Sequence, residues 1–161
     1  MLRFILVVSV SFALIYAPPS MAAAKECELA VAKDYFQKKR NRQEPDFNSY
    51  GLEQQYKIFI HGYNCMHPPF LYLAGLMAEK GEAVVEFLEK KLRETEDDGV
   101  VIGIIEVFVF MELLQTYRVS ADKELIEVIQ TTIDNIDAEN TREFAQSNFD
   151  SLYKPHPTTI D

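Results

Sequence analysis

Two cysteines and two histidines are the side chains in this chain best suited to metal binding or covalent chemistry. His61, Cys65 and His67 lie within one stretch of seven residues, and Cys27 lies nearer the N-terminus. Two thiolates and two imidazoles form a ligand set that zinc accepts in proteins. A disulfide between Cys27 and Cys65 is the alternative use of the two sulfurs.

The helices expected around the cysteines favour the disulfide over the metal. One helix is expected to run about 13 residues from Cys27 to a turn, and the next about 15 residues from that turn to Cys65. With a rise of about 1.5 Å per residue both are about 20 Å long, so an antiparallel hairpin brings the sulfurs together. The bond would close a loop of about 38 residues and stabilise the fold by about 4 kcal/mol.

The remaining motifs do not indicate catalysis. The sequence contains no His-Glu-x-x-His, no phosphate-binding glycine loop and no Gly-x-Ser-x-Gly elbow. His61 falls in the last turn of its expected helix, where an imidazolium interacts favourably with the helix dipole. Oxidation with Cys27 would remove a nucleophilic thiolate at Cys65. We therefore expect no catalytic residues, no metal site, no cofactor and a non-enzymatic protein.

The N-terminal segment predicts export. Arg3 precedes an apolar run at residues 4–17, two prolines follow, and Ala22, Ala23 and Ala24 offer a cleavage site. The run of about 14 residues is shorter than the roughly 20 that span a bilayer. We expect residues 1–24 to be a signal peptide, and the mature protein to be periplasmic or secreted with no membrane anchor.

The charge balance restricts the class of partner. The net charge is −9, and removal of Arg3 with the signal peptide makes it about −10. Nucleic acids and anionic membranes are bound through basic patches, so neither is an expected partner. A basic protein partner remains compatible with this charge.

Apolar periodicity predicts an all-α protein with one domain over residues 25–153. Asn48 or Ser49 is expected to cap the second helix, and Asp122 is expected to cap a later one. An acidic turn at residues 96–99 is expected to precede another helix rather than bind calcium. Residues 154–161 contain two prolines and predict a mobile tail. The predicted helices cover residues 26–40, 50–63, 70–80, 82–95, 100–115, 123–135 and 139–153. Gly81 is expected to end the third helix, and Phe144, Phe149 and Leu152 are the apolar residues expected to pack from the last.

Residues 100–114 have the least distinctive pattern. They are apolar on almost every side and rich in β-branched residues, which also suit a buried strand. Their length exceeds that of a usual strand, and no other segment offers a strand to pair with. They therefore predict a buried helix.

Two of the predicted helices match each other at an offset of 41 positions. Val84, Val85, Glu86, Phe87, Leu88 and Leu92 fall on Leu125, Ile126, Glu127, Val128, Ile129 and Ile133. Over residues 68–136 this pattern resembles HEAT-type repeats, whose helix pairs stack on one another. The fixed arginine and aspartate pattern of those repeats is missing, so an α-solenoid and an irregular helical bundle both remain open.

The resemblance implies a scaffold that binds another protein along one face. Aromatic side chains are enriched where interfaces concentrate binding energy, and Tyr50, Phe70, Tyr72 and Tyr117 are the candidates. We expect an exported protein-interaction module. An acidic inhibitor or immunity-type protein that binds a basic enzyme is one alternative, and a carrier of a small apolar ligand, suggested by residues 100–114, is another.

Overall fold

The computed structural model describes residues 29–153, and this part of the chain is all-helical, as the sequence predicts. Residues 1–28 and 154–161, and with them the predicted signal peptide, Cys27 and the predicted tail, lie outside the described residues. No helix within residues 29–153 is both long and apolar enough to cross a membrane. The described α-helices are α1 (Ala30–Arg40), α2 (Leu52–Asn64), α3 (Tyr72–Ala78), α4 (Val85–Glu94), α5 (Asp98–Leu114), α6 (Lys123–Asp134) and α7 (Glu139–Asp150).

Helix α5 is the centre of the core, which confirms the buried helix predicted from its sequence. Ile104, Ile105, Phe108 and Met111 are fully buried. The helix packs against α2, α3 and α7, so apolar side chains are needed on nearly all of its sides. Its β-branched residues are compatible with a helix here because tertiary packing outweighs their small loss of helix propensity.

The helices pair out of sequence order. Helix α3 packs on α5, and α4 packs on α6, so two consecutive helical hairpins lie side by side. Helix α7 packs on α5 and also contacts α6, while α1 packs on α2. Buried residues from all seven helices belong to one hydrophobic cluster. This arrangement fits either a helical bundle or a short solenoid.

The helix starts follow capping chemistry at two predicted positions. Asp97 accepts hydrogen bonds from the N–H groups of Gly99 and Val100, at 2.9 and 3.2 Å, at the start of α5. Asp122 accepts from the Leu125 N–H at 3.1 Å at the start of α6. These carboxylates satisfy backbone donors that the first turn of a helix leaves unpaired.

The cap predicted for the second helix is wrong. Asp46 instead caps a 3₁₀ turn at Phe47–Ser49 by accepting from the Asn48 N–H at 2.9 Å, and α2 begins after Gly51. The Gln54 side chain accepts from the Gly51 N–H at 3.3 Å. A turn that is itself helical displaces the start of α2 by two residues, from position 50 to Leu52, which periodicity alone does not reveal.

Two further expectations need correction. Phe144 was expected to face the core but is 54% exposed, since α7 buries Ala145 and Phe149 instead. The helix expected over residues 82–95 is divided, because Gly81–Val84 forms a 3₁₀ turn before α4 begins. Gly81 has a φ of +56°, and this left-handed residue ends α3 where the sequence predicted a stop.

Candidate interaction site: an acidic groove

A groove lies between the end of α4, the start of α5 and the length of α6. Its volume is about 1250 Å³. The turn that joins α4 to α5 forms one wall, and the turn after α6 closes the end beside it. The groove lies where α4, α5 and α6 contact one another.

The rim of the groove is strongly acidic. Its polar lining includes one basic residue, Arg93, whose guanidinium already pairs with Glu89 at 2.7 Å. A rim of this composition sets up a negative potential that a concave surface strengthens. The carboxylates that line it are those of Glu96, Asp97, Asp98, Glu124, Glu127 and Asp137.

The carboxylates on the α5 side are crowded. Partial burial raises the pKa of Asp98, and the nearby negative charges of Asp97 and Asp137 raise that pKa further. These two like charges disfavour the ionised form of Asp98. A cation bound between them would relieve this repulsion.

Part of the floor of the groove is apolar, beside the polar side chains of Thr131, Thr132 and Asn135. Four buried side chains reach it, and each is at most 7% exposed, so they belong to the hydrophobic core as well as to the groove. An apolar floor beneath an acidic rim suits a long cationic side chain, which has an aliphatic stem and a charged head. The four side chains are those of Leu92, Val101, Val128 and Ile136.

The carboxylates of the groove are distributed over two helices and the turns next to them. Within residues 29–153, no group of three or more His, Cys, Asp or Glu side chains is arranged to hold a metal ion. Arginine and lysine side chains can bind carboxylates that are spread along a surface, because each cationic group donates hydrogen bonds to its own carboxylate. The groove is therefore suited to a basic stretch of polypeptide.

The four aromatic residues predicted as an interaction surface lie at two places. Phe70 and Tyr72 contact each other with ring centroids 5.8 Å apart, and Tyr50 contacts Tyr35 in the same cluster at 6.0 Å. Tyr117 lies apart from them and donates a hydrogen bond to Asp122 at 2.5 Å. Of the four, Tyr72 alone is exposed, at 39%.

The fold places His61, Cys65 and His67 in different surroundings. His61 lies in the last turn of α2, as predicted, but it is buried and stacks on Phe36 with ring centroids 5.3 Å apart. His67 is exposed. Cys65 follows the last residue of α2, and its N–H donates to the His61 carbonyl at 2.9 Å. Because Cys27 lies outside the described residues, its pairing with Cys65 stays a prediction.

One wall of the groove carries a local sequence signal, and the other does not. The acidic turn at residues 96–99 was recognised as a helix start, whereas Glu124, Glu127 and Asp137 gave no local signal. The offset of 41 positions that relates α4 to α6 held the missing information, because similar amphipathic helices at a repeat interval tend to pack side by side. Searching for charge along that shared interface would have indicated the groove.

Comparisons with protein-family models, with curated proteins and with solved structures each find no match to this chain.

Proposed function

We propose that this protein is an exported, non-enzymatic interaction module whose acidic groove binds a basic segment of a polypeptide. The observation that carries the proposal is the lining of the groove, where six carboxylates and one paired arginine surround a partly apolar floor. The stacked helical hairpins support a HEAT-like scaffold role, since such scaffolds bind partners along grooves between repeats. Export follows from the predicted signal peptide.

An acidic inhibitor of a basic enzyme is a special case of the same proposal. It would use the same groove and the same charges, and a complex of this kind forms faster and more tightly at low ionic strength. The carrier alternative was suggested by the apolar surface of α5. Packing against α2, α3 and α7 accounts for that surface, so the groove is the better-supported site.

Binding of a labelled peptide tests the groove. We expect a fluorescent peptide rich in Lys and Arg to bind the exported protein, and an equally long peptide rich in Glu not to bind. Changing Glu127→Lys together with Asp137→Lys should weaken binding at least tenfold, because both side chains are exposed on the rim and the change reverses their charge. Fluorescence anisotropy measures the affinity.

A matched variant separates the groove from net charge. Glu44→Lys together with Glu79→Lys changes the net charge by the same amount at exposed positions outside the groove. We expect it to reduce binding far less than the groove variant does. Equal losses in the two variants would show that the peptide senses overall charge alone and would contradict the proposal.

The Cys27–Cys65 disulfide is proposed as part of the same exported protein. It is supported by the export prediction and by the position of Cys65 at the end of α2, which follows α1 in a helical hairpin. Thiol titration of the denatured, non-reduced protein should find no free sulfhydryl. Reduction should lower the free energy of unfolding by about 4 kcal/mol. Two titratable thiols would overturn the pairing.

A further inference from the structure

A second charged surface lies on α1 and has the opposite sign to the groove. Residues 33–42 contain five basic side chains and one acidic one in a chain whose net charge is −9. Lys38 pairs with Asp34 at 2.7 Å, whereas Lys39, Arg40 and Arg42 are exposed. We call Lys38, Lys39, Arg40 and Arg42 the basic corner.

The backbone holds the basic corner in a fixed turn. Beyond the end of α1, the Arg42 N–H donates to the Lys39 carbonyl and the Gln43 N–H to the Lys38 carbonyl, both at 3.0 Å. Arg42 has a φ of +58°. This left-handed position after a helix usually holds glycine, and a side chain there costs about 1 kcal/mol. An arginine is therefore present where glycine would be the more stable residue.

Apolar side chains adjoin the basic corner. The Lys39 ammonium lies 4.0 Å from the centroid of the Tyr72 ring and donates to the Tyr72 hydroxyl at 2.6 Å. Leu71 and Tyr72 are 46% and 39% exposed. The corner thus combines cationic heads with apolar surface, which is the complement of an acidic rim over an apolar floor.

The groove and the basic corner are independent parts of the molecule. The groove is built from α4, α5 and α6, whereas the corner belongs to α1 and the turn after it. The volume of the groove, about 1250 Å³, exceeds the roughly 300–1,000 Å³ of a small-molecule pocket and suits a helix end. At physiological salt the Debye length is about 8 Å, so local charge pairs persist while the repulsion between two acidic molecules is screened.

We propose that the basic segment bound in the acidic groove is the corner of a second copy of this chain, with residues 38–42 lying between α4 and α6. The inference rests on the proposed function and names its partner. The contact joins different surfaces of the two copies, so a bound pair still offers one free groove, on one copy, and one free corner, on the other. Such head-to-tail contacts extend into open chains unless their geometry closes a ring.

Two neutralising variants test the contact by sedimentation velocity. The protein purified from exporting cells should associate as its concentration rises at about 0.15 M NaCl. Arg40→Gln with Arg42→Gln disables the corner, and Glu127→Gln with Asp137→Asn disables the groove. We expect each variant alone to associate at least tenfold more weakly. An equimolar mixture should form dimers and stop there, because it contains one intact groove and one intact corner per pair.

Arg42→Gly supplies a variant whose fold is not at risk. Glycine suits the left-handed backbone, so the variant should be at least as stable to urea as the parent protein while its self-association weakens. Unchanged association in Arg42→Gly and in the corner variant would overturn the inference. So would a mixture of the two neutralised variants that remains monomeric.

The outcomes distinguish failure of the self-association from failure of the proposed peptide binding. If the chain is monomeric at every concentration while a labelled basic peptide still binds the groove, the self-association is wrong and the proposed function stands. If neither the peptide nor a second copy binds, both fail. Binding of the monomer to phosphatidylglycerol vesicles that is lost in the corner variant would identify an anionic lipid as the partner of the corner and would overturn the inference.

Discussion

Asp122 links two elements through its two carboxylate oxygens. One oxygen caps α6 by accepting from the Leu125 N–H at 3.1 Å, and the other accepts from the Tyr117 hydroxyl at 2.5 Å. The hydrogen bond from Tyr117, followed by that from Leu125, lowers the pKa of Asp122. The same bond is the main reason that the pKa of Tyr117 is raised to about 12. The pair therefore stabilises the fold most when Asp122 is ionised and Tyr117 is protonated.

Tyr117→Phe should lower the free energy of unfolding by about 1 kcal/mol near neutral pH, because it removes the hydrogen bond but keeps the ring. A carboxyl group whose pKa is lowered by folding contributes stability at pH values above its ordinary pKa. That contribution is lost as the pH falls through the lowered pKa. A raised phenol pKa contributes stability below about 10 that is lost as the pH rises through about 12. Urea unfolding at several pH values should show that the difference in the free energy of unfolding between Tyr117→Phe and the parent protein becomes smaller at both pH extremes.

Tyr153→Phe is the matched control for that change. Tyr153 is 56% exposed, so loss of its hydroxyl should leave stability almost unchanged at every pH. If the difference in the free energy of unfolding between Tyr117→Phe and the parent protein stays constant from acid to neutral pH, the hydroxyl does not affect the pKa of Asp122.

At the scale of elements, Gly81 sets the path of the chain from α3 into α4. Its φ is +56°, and a β-carbon there would lie 2.6 Å from the Thr116 carbonyl oxygen. Thr116 is held in place by its hydroxyl, which donates to the Ala78 carbonyl at 2.7 Å. The end of α3 and the end of α5 are thereby fixed together across a glycine.

Gly81→Ala should destabilise the protein by about 2 kcal/mol, because alanine is strained in the left-handed region and collides with backbone that cannot move freely. Gly75→Ala is the matched substitution within α3, where nothing lies within 4 Å of the added carbon. It should stabilise by about 0.5–1 kcal/mol, since alanine favours the helix. Thermal unfolding of both variants checks the opposite signs, and equal shifts would contradict the role of Gly81.

The elements that sequence predicts well are those decided by local chemistry. Asp122 as a cap and Gly81 as a stop follow from side-chain hydrogen bonding and from a backbone angle, both of which act within a few residues. Phe144 was placed wrongly because a 3.6-residue period does not say which apolar residue of a short helix meets a neighbour. The groove depends on the contact between α4 and α6, about 40 residues apart in the chain. Packing of that kind is not encoded in any single window of sequence.

The whole molecule is acidic, with a net charge of −9, and its charge is unevenly distributed. The ion pairs described within residues 29–153, such as Lys38 with Asp34 and Arg93 with Glu89, lie largely at the surface, and pairs of this kind contribute about 0–1 kcal/mol each. The crowded carboxylates of the groove oppose them, and burial together with neighbouring charge raises the pKa of Asp98. Repulsion should therefore outweigh surface pairing in the folded state.

Raising NaCl from about 0.05 M to about 0.5 M should increase the Tm by a few degrees, because the salt shortens the Debye length and screens the excess negative charge. Glu127→Gln with Asp137→Asn should have a higher Tm than the parent protein at low salt and a smaller increment on adding salt. Calorimetry at a protein concentration too low for self-association makes both measurements. A Tm that falls as salt is added would mean that the exposed ion pairs stabilise the fold more than the repulsion in the groove destabilises it. The acidic rim would then lack the unrelieved repulsion that favours binding a basic partner.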